Sequence, residues 1–282
     1  MLHILNNQKQ LYIIAGPTAS GKTDKSIQMA LEFRCPIISA DSRQVYKELN
    51  IGVAKPDQAQ LKAVQHYFIN HVSIHEDYNA GQYALEARTL INTLFKHHNQ
   101  LIICGGTGLY IKSLLKGLDQ LPGKNEALRQ ALQNTLDTKG IEALQNELKE
   151  LNPERYAAID IQNPQRLIRA IEIEKTETEP GLELPAFSHA FDTIYEIIDR
   201  PREELYNRIN QRVDTMVNDG LEQEALSFNH LRQLNALQTV GYSEWWPFFD
   251  GEYSRGEAIE KIKQHTRNYA KRQITWFKHQ LK

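Results

Sequence analysis

The sequence predicts an α/β fold: a parallel sheet flanked by helices and interrupted by an all-helical insertion domain. Three features of the chain lead there. Through residue 117, short apolar runs rich in β-branched residues alternate with helical stretches, the pattern of parallel β-α-β units. Strand signals then vanish until residue 193. Long helical patterns fill most of the chain beyond residue 200. At 282 residues the chain suits two domains or one domain with an insertion, at roughly 150 residues per domain.

Leu11-Tyr12-Ile13-Ile14-Ala15, stopped by Gly16-Pro17, reads as a buried strand. A helix runs from Gly21 to about Phe33, then Pro36–Ala40 forms a short strand that ends at Asp41. A strand is predicted over Tyr67–Val72, a helix from the N-cap Asn79 to about His97, and a strand over Leu101–Cys104. Gly105-Gly106-Thr107 leads into a helix through Lys116. From Asn125 to Lys175 the signals are helical, with Asn125, Asn152 and Asn163 as caps and Pro153 and Pro164 at first helical positions. A polar loop spans 177–189 and a strand Thr193–Ile198. Helices cover Arg202–Asn218, Leu221–Leu234 and Gly256–Leu281, the last opened by a Ser254/Glu257 capping box. The predicted domains are therefore an α/β core, 1–117 plus 193–282, and a helical insertion, 118–192.

Composition narrows the classes. Apolar residues at 41% and charged residues at 24% are ordinary for a globular chain, which excludes wholesale disorder. No run approaches the ~20 apolar residues of a membrane span. The polar residues Asn6–Gln10 interrupt any signal-peptide core. Cys35 and Cys104 stand apart, supporting neither a disulfide framework nor a thiolate zinc site. A cytoplasmic monomer with no membrane partner is the expectation. The net charge of −2 hides an uneven distribution: residues 253–282 carry eight Lys or Arg against Glu257 and Glu260. A basic tail on an acidic body points to a polyanionic partner.

Gly16-Pro17-Thr18-Ala19-Ser20-Gly21-Lys22-Thr23 fits G-x-x-x-x-G-K-S/T between a strand and a helix, the context that gives this motif meaning. Backbone N–H groups and the helix N-terminus cradle an anion. Lys22 adds a cation, and the Thr23 hydroxyl suits Mg²⁺. The core is thus P-loop NTPase-like, and the loop binds a di- or triphosphate. Nucleoside triphosphatases usually add a strand ending in Asp. Here Leu101–Cys104 runs into Gly105 instead, and the nearest strand-end acid is Asp41. Strand C-termini line the ligand crevice of an open parallel sheet, so Asp41 belongs near the bound phosphates. From the residues alone it reads as a helix cap, an outer-shell Mg²⁺ acid or a proton acceptor.

Together the motifs resemble the tRNA dimethylallyltransferase (tRNA isopentenyltransferase) family. The matching pieces are Gly16–Thr23; Asp41-Ser42-Arg43-Gln44-Val45-Tyr46 with Ile51–Pro56; Gly105–Tyr110; Asn163–Ala170; Val240-Gly241-Tyr242; and Thr266–Phe277. They are collinear over nearly the whole chain. The resemblance implies transfer of a dimethylallyl group from dimethylallyl diphosphate to N6 of the adenosine next to the anticodon in tRNA, with Mg²⁺. The loop would then hold the prenyl diphosphate rather than ATP, which fits the missing second acid.

An exocyclic adenine amine is a poor nucleophile, and a carboxylate that takes its proton contributes roughly 10²–10⁴ in rate. Asp41 matches the family's general base. Arg212 matches its diphosphate-binding arginine, while neighbouring Arg208 reads as a helix-surface residue. Thr107 matches a position near both substrates, although its residue type alone says only N-cap. The base must leave the stacked anticodon loop, and Ser42, Arg43 and Gln44 match the adenosine-contacting segment. Gln165, Arg166, Leu167, Ile168 and Arg169 match a tRNA-contacting stretch for the anticodon stem-loop, as does Arg129 in the insertion. Lys263, Arg267 and Lys271 recur every four residues, a basic stripe for phosphates or a solvated helix face.

The chain departs from the family at Val53, where threonine is usual, and after Glu174, where Lys175–Pro180 lacks the common glycine and basic residue. It also stops soon after Trp276-Phe277, without the extra C-terminal segment of many members. Competing functions are prenyl transfer to free AMP or ADP, a P-loop kinase or ATPase, and RNA binding without catalysis. The insertion and basic tail argue against the first two, and intact Lys22, Thr23 and Asp41 against the third.

Overall fold

The computed structural model describes residues 8–117, 122–176 and 183–280. Segments 1–7 and 177–182, which hold the N-terminal polar run's start and part of the divergent stretch after Glu174, lie outside the described residues, as does Lys282 of the basic tail. Five strands, β1 (Lys9–Ala15), β2 (Ile37–Ser39), β3 (His66–Tyr67), β4 (Gln100–Gly105) and β5 (Phe191–Ile197), form one parallel sheet in the order β3-β2-β4-β1-β5. Strands buried on both faces read as unbroken apolar runs. Because side chains alternate along a strand, Leu11, Ile13, Leu101 and Ile103 join one core cluster, and Ile14, Ile37 and Ile102 another.

Helices α1 (Lys22–Phe33), α2 (Gln58–Ala63), α3 (Ala80–Leu94) and α4 (Gly108–Lys116) accompany the first four strands. Met29 and Ala30 of α1 pack on one face, while Tyr83 and Ile91 of α3 and Ile111 of α4 pack on the other. Asn79 caps α3 as predicted, accepting from Gly81 N at 2.9 Å while Gln82 reaches back to Asn79 N at 3.0 Å. Leu118–Glu183 forms a separate compact unit of α5 (Glu126–Lys139), α6 (Ile141–Leu151), α7 (Pro153–Ala158) and α8 (Pro164–Lys175). Asn125, Asn152 and Asn163 cap α5, α7 and α8 through bonds from Leu128, Arg155 and Arg166 N–H groups. Leu132, Leu144, Leu148, Leu167 and Ile171 fill its core. The remaining helices are α9 (Arg202–Asn218), α10 (Leu221–Ser227), α11 (Trp245–Phe249) and α12 (Arg255–Gln280). The Ser254/Glu257 box opens α12, with Ser254 N donating to Glu257 Oε2 at 2.7 Å and Glu257 N to Ser254 Oγ at 3.2 Å.

Three predicted boundaries are corrected. The strand over Tyr67–Val72 shrinks to His66–Tyr67 because Phe68 (φ 61°) and Asn70 (φ 55°) turn left-handed, and Val72 keeps only a bridge to Tyr46. The helix predicted to Leu234 stops at Ser227. Phe228, Leu231 and Leu234 all pack on the Tyr242–Trp245 core cluster, and that burial overrides helix periodicity. The helical unit ends at Glu183 rather than 192. Residues 184–192 belong to the α/β unit through α3: Asn92 Nδ2 donates to the Ala186 carbonyl at 2.9 Å, and the Arg88 guanidinium lies 4.8 Å from the Phe187 ring centre.

Candidate active site

The site forms where β1, β2 and β4 end together. The register aligns Ala15 with Gly105 and Ser39 with Cys104, so Gly16, Asp41 and Thr107 all emerge at the carboxyl edge of the sheet. Gly105 makes this convergence possible, since a Cβ there would lie 2.1 Å from the Ala40 carbonyl oxygen. Gly21 closes the loop at φ 95°, a left-handed conformation that glycine adopts freely.

Side chains from later in the chain hold the 16–23 loop. The Gln273 carboxamide of α12 accepts from Thr18 N at 2.9 Å and donates to the Gly106 carbonyl at 3.0 Å, joining two strand ends. Arg200 Nε donates to the Ser20 carbonyl at 2.6 Å and Arg208 Nε to that of Ala19 at 2.8 Å. Arg208 is therefore a loop clamp, not the plain surface residue its type suggests. Arg212 on α9 donates to Thr18 Oγ1 and to the Ala54 carbonyl, each at 3.3 Å. Lys22 Nζ reaches the Pro17 carbonyl at 3.2 Å.

Two adjoining hollows share Lys22, Thr23, Ala54 and Arg212. The outer one, about 390 Å³, is lined by Gly21, Lys55, Arg208 and Gln211. The inner one, about 130 Å³, runs past Asp41 and Gln44 to the apolar side chains Val53, Ile209, Met216 and Val240. Burial disfavours the charge on Lys22, with Cys104 and Asp41 partly offsetting it, and disfavours that on Arg212, where Asp41 again offsets. Burial brings Lys55 down to about 8. Among the described residues neither Lys22 nor Arg212 forms an ion pair. Both side chains are half-buried, and partly desolvated cations with no directly bonded carboxylate favour an anion in this hollow.

Asp41 faces the same inner space. Its Oδ1 accepts from Arg43 N at 2.9 Å and Gln44 N at 3.2 Å, a turn that starts the segment after β2. Thr107 does not cap α4 through its side chain. Its Oγ1 instead accepts from Ser42 N at 3.0 Å and bonds Ser42 Oγ at 3.2 Å. Gln44 Nε2 donates to the Ala54 carbonyl at 2.9 Å, and Arg43 Nη1 to that of Asn235 at 2.9 Å. Tyr269 interacts with Thr107, and burial together with Asp41 pushes its phenol up to about 12.

The expected RNA contacts lie partly on α8 and α5 of the helical unit and partly on α12. Leu167 and Ile168 are buried in the core of the helical unit, where their side chains hold α8 in place. Gln165 and Arg166 are exposed. Arg129 and Arg169 converge on Glu172, whose carboxylate is fully buried. Burial alone would raise the Glu172 carboxyl; hydrogen bonds from Arg129, Arg169 and Asn125 N bring it down to about 2. Lys263 is paired with Asp214 at 2.8 Å and Glu260 at 3.1 Å, which raises its pKa. Arg267 donates to Asn210 Oδ1 at 2.7 Å. Of the expected stripe, Lys271 is exposed. Sequence reasoning missed Gln273, Arg200 and Tyr269. The signal for Gln273 was present: it is a polar residue four positions after Tyr269 and four before Phe277, on the buried face of α12.

Comparison with known proteins shows the family of the chain. The family model described as IPP transferase matches residues 44–280. A tRNA dimethylallyltransferase of Cytophaga hutchinsonii is 46% identical, over 95% of this chain and 90% of that protein. One of Flavobacterium johnsoniae is 44% identical over 96% and 90%. The crystal structure of a Bacillus halodurans tRNA isopentenylpyrophosphate transferase superposes with a TM-score of 0.68 at 32% identity, covering 97% of this chain and 88% of that one. A eukaryotic dimethylallyltransferase described as acting on tRNA gives 0.76 at 26% identity, over 97% and 71%. With the family model spanning most of its length and relatives of this similarity aligned end to end, the chain belongs to the IPP transferase family.

Proposed function

We propose that this chain transfers the dimethylallyl group of dimethylallyl diphosphate to N6 of the adenosine beside the anticodon in tRNA, releasing diphosphate. The observation that carries the reading is the meeting of half-buried Lys22 and Arg212, neither in a direct ion pair, with the Asp41 carboxylate around one hollow. The 16–23 amides, Lys22 and Arg212 hold the diphosphate, and the apolar wall beyond them receives the five-carbon group. N6 attacks the allylic carbon as the carbon–oxygen bond breaks. The bonding pair leaves with the diphosphate, whose growing charge is stabilised by cations already in place. Asp41 takes the N6 proton.

Mg²⁺ fits this donor set. Mg²⁺ commonly binds through substrate phosphates, waters and few protein oxygens, and the Thr23 hydroxyl borders both hollows. When bound it neutralises part of the diphosphate charge. The target base, flipped from its stack, is read by Ser42, Arg43, Gln44 and Thr107. Exposed Gln165, Arg166 and Lys271 meet the RNA backbone. Among the described residues no helix is long and apolar enough to cross a membrane.

The test is incubation with labelled dimethylallyl diphosphate, Mg²⁺ and unmodified tRNA, AMP or ATP. Label in tRNA alone is the expected result. Label in AMP but not tRNA, or ATP turnover without transfer, refutes the assignment.

A further inference from the structure

We propose that Glu224 is a positioning residue for the donor diphosphate, acting on Arg212 through the loop of residues 50–55. This rests on the reading of Arg212 as a diphosphate ligand. Glu224 lies on α10, outside every motif that drew attention in the sequence. Its carboxylate receives three successive backbone N–H groups, from Asn50 at 3.4 Å, Ile51 at 2.9 Å and Gly52 at 3.0 Å, together with the Tyr242 hydroxyl. The Tyr242 ring fills the space beside Gly52, where a Cβ would lie 2.4 Å from it, so the loop is gripped from both sides.

The loop then turns back on itself. Ala54 N donates to the Ile51 carbonyl at 2.9 Å, and Ala54 sits at φ 48°, a conformation that needs outside support in a residue other than glycine. The Ala54 carbonyl faces the site and accepts from both Gln44 Nε2 at 2.9 Å and Arg212 Nη2 at 3.3 Å. Glu224 thus fixes one end of a short, strained loop, and the other end orients Arg212. Glu224 itself lines neither hollow and reaches the inner one only through the Gly52 backbone.

The sign of the effect separates this role from simple electrostatics. Glu224 is an acid whose negative charge acts directly against a bound anion, and at a pH of about 6, where Lys55 stays charged, that direct repulsion is its main electrostatic effect. If charge alone mattered, Glu224→Gln would strengthen binding of an anion. If Glu224 positions the loop, the amide group it gains opposes the N–H donors, the loop loosens and binding weakens.

The experiment is a double-mutant cycle on the full chain, with inorganic diphosphate as the probe and calorimetry as the readout. Glu224→Gln is expected to weaken diphosphate affinity by about tenfold, as truncating supporting shells around bound ions commonly does. In an Arg212→Ala background it should cost nothing further, because residues acting through one group are non-additive. The KM for dimethylallyl diphosphate should rise while that for tRNA holds. Unchanged or tighter diphosphate binding, or losses that add independently of Arg212, would overturn the proposal. Should Glu224→Gln melt at a much lower temperature, Tyr242→Phe carries the same cycle: a loss of a few fold, again absent without Arg212, supports the proposal, and an equal loss in both backgrounds overturns it. A wild-type chain that bound no diphosphate would instead refute the functional reading beneath it.

Discussion

Replacing Asp41 with asparagine removes the proposed base while leaving the local structure in place. Oδ1 accepts both bonds that build the turn, from Arg43 N and Gln44 N, and asparagine retains that oxygen. The change therefore falls on the other oxygen and on the charge. Losing a positioned proton acceptor costs roughly 10²–10⁴ in rate, about 2.7–5.4 kcal/mol at 1.36 kcal/mol per decade. Donor binding should move the other way or not at all. The Asp41 charge offsets the half-buried cations Lys22 and Arg212, and without it those cations are left entirely to the diphosphate. Single-turnover quench experiments with both substrates saturating measure the first effect, and calorimetric titration with inorganic diphosphate measures the second. A variant within threefold of wild type in the chemical step would refute the base assignment. So would a hundredfold loss of diphosphate affinity, which would make Asp41 part of the donor cradle instead.

Gln273→Ala strips the bonds to Thr18 N and the Gly106 carbonyl and leaves buried partners unmet, at about 1–3 kcal/mol each; the KM for dimethylallyl diphosphate should rise tenfold or more, and an unchanged KM would show that the loop needs no such support. Glu172→Gln should destabilise the helical unit by about 3 kcal/mol, since it disarms a buried carboxylate that binds two guanidinium groups. The Glu172 carboxyl lies at about 2 when folded against an ordinary 4.5, so its stabilisation is complete above pH 4.5 and fades as the pH falls towards 2. Acid unfolding followed in wild type and variant should converge at the low end, and parallel curves would count against the assignment. Lys271→Ala should lower the salt slope of tRNA binding by about one unit while Lys263→Ala leaves it nearly unchanged, because Lys263 is engaged by Asp214 and Glu260; the reverse order would return RNA contact to Lys263.

Most of the fold was legible because local rules and tertiary demands agree. The runs at Leu11–Ala15 and Leu101–Cys104 can be little but buried strands, and Asn79, Asn125, Asn152 and Asn163 cap helices where their side chains predict. Disagreement arose where distant packing decides. Phe228 is helix-compatible by type, yet it turns the chain because a core waits beside it. The loop after Glu183 looks solvated, but Asn92 and Arg88 capture its backbone. In the site, the 16–23 loop and Asp41 could be read from spacing. The clamps Arg200 and Arg208 could not, since each acts on a backbone group some 180 to 189 positions away, and for Gln273 the spacing marks a polar residue on a buried face but not the loop it holds. Basic periodicity misled for Lys263 because a stripe of charge says nothing of the acids on the neighbouring helix.

The clasp made by Gln273 also orders events during synthesis. Position 273 leaves the ribosome after every other residue of the cavity, and until it arrives the Thr18 amide and the Gly106 carbonyl have no mutual bridge. A nascent chain can therefore lay down its sheet and its helical unit while the anion cradle stays unfinished. On the proposed function, the binding of the donor diphosphate then awaits the last turns of α12.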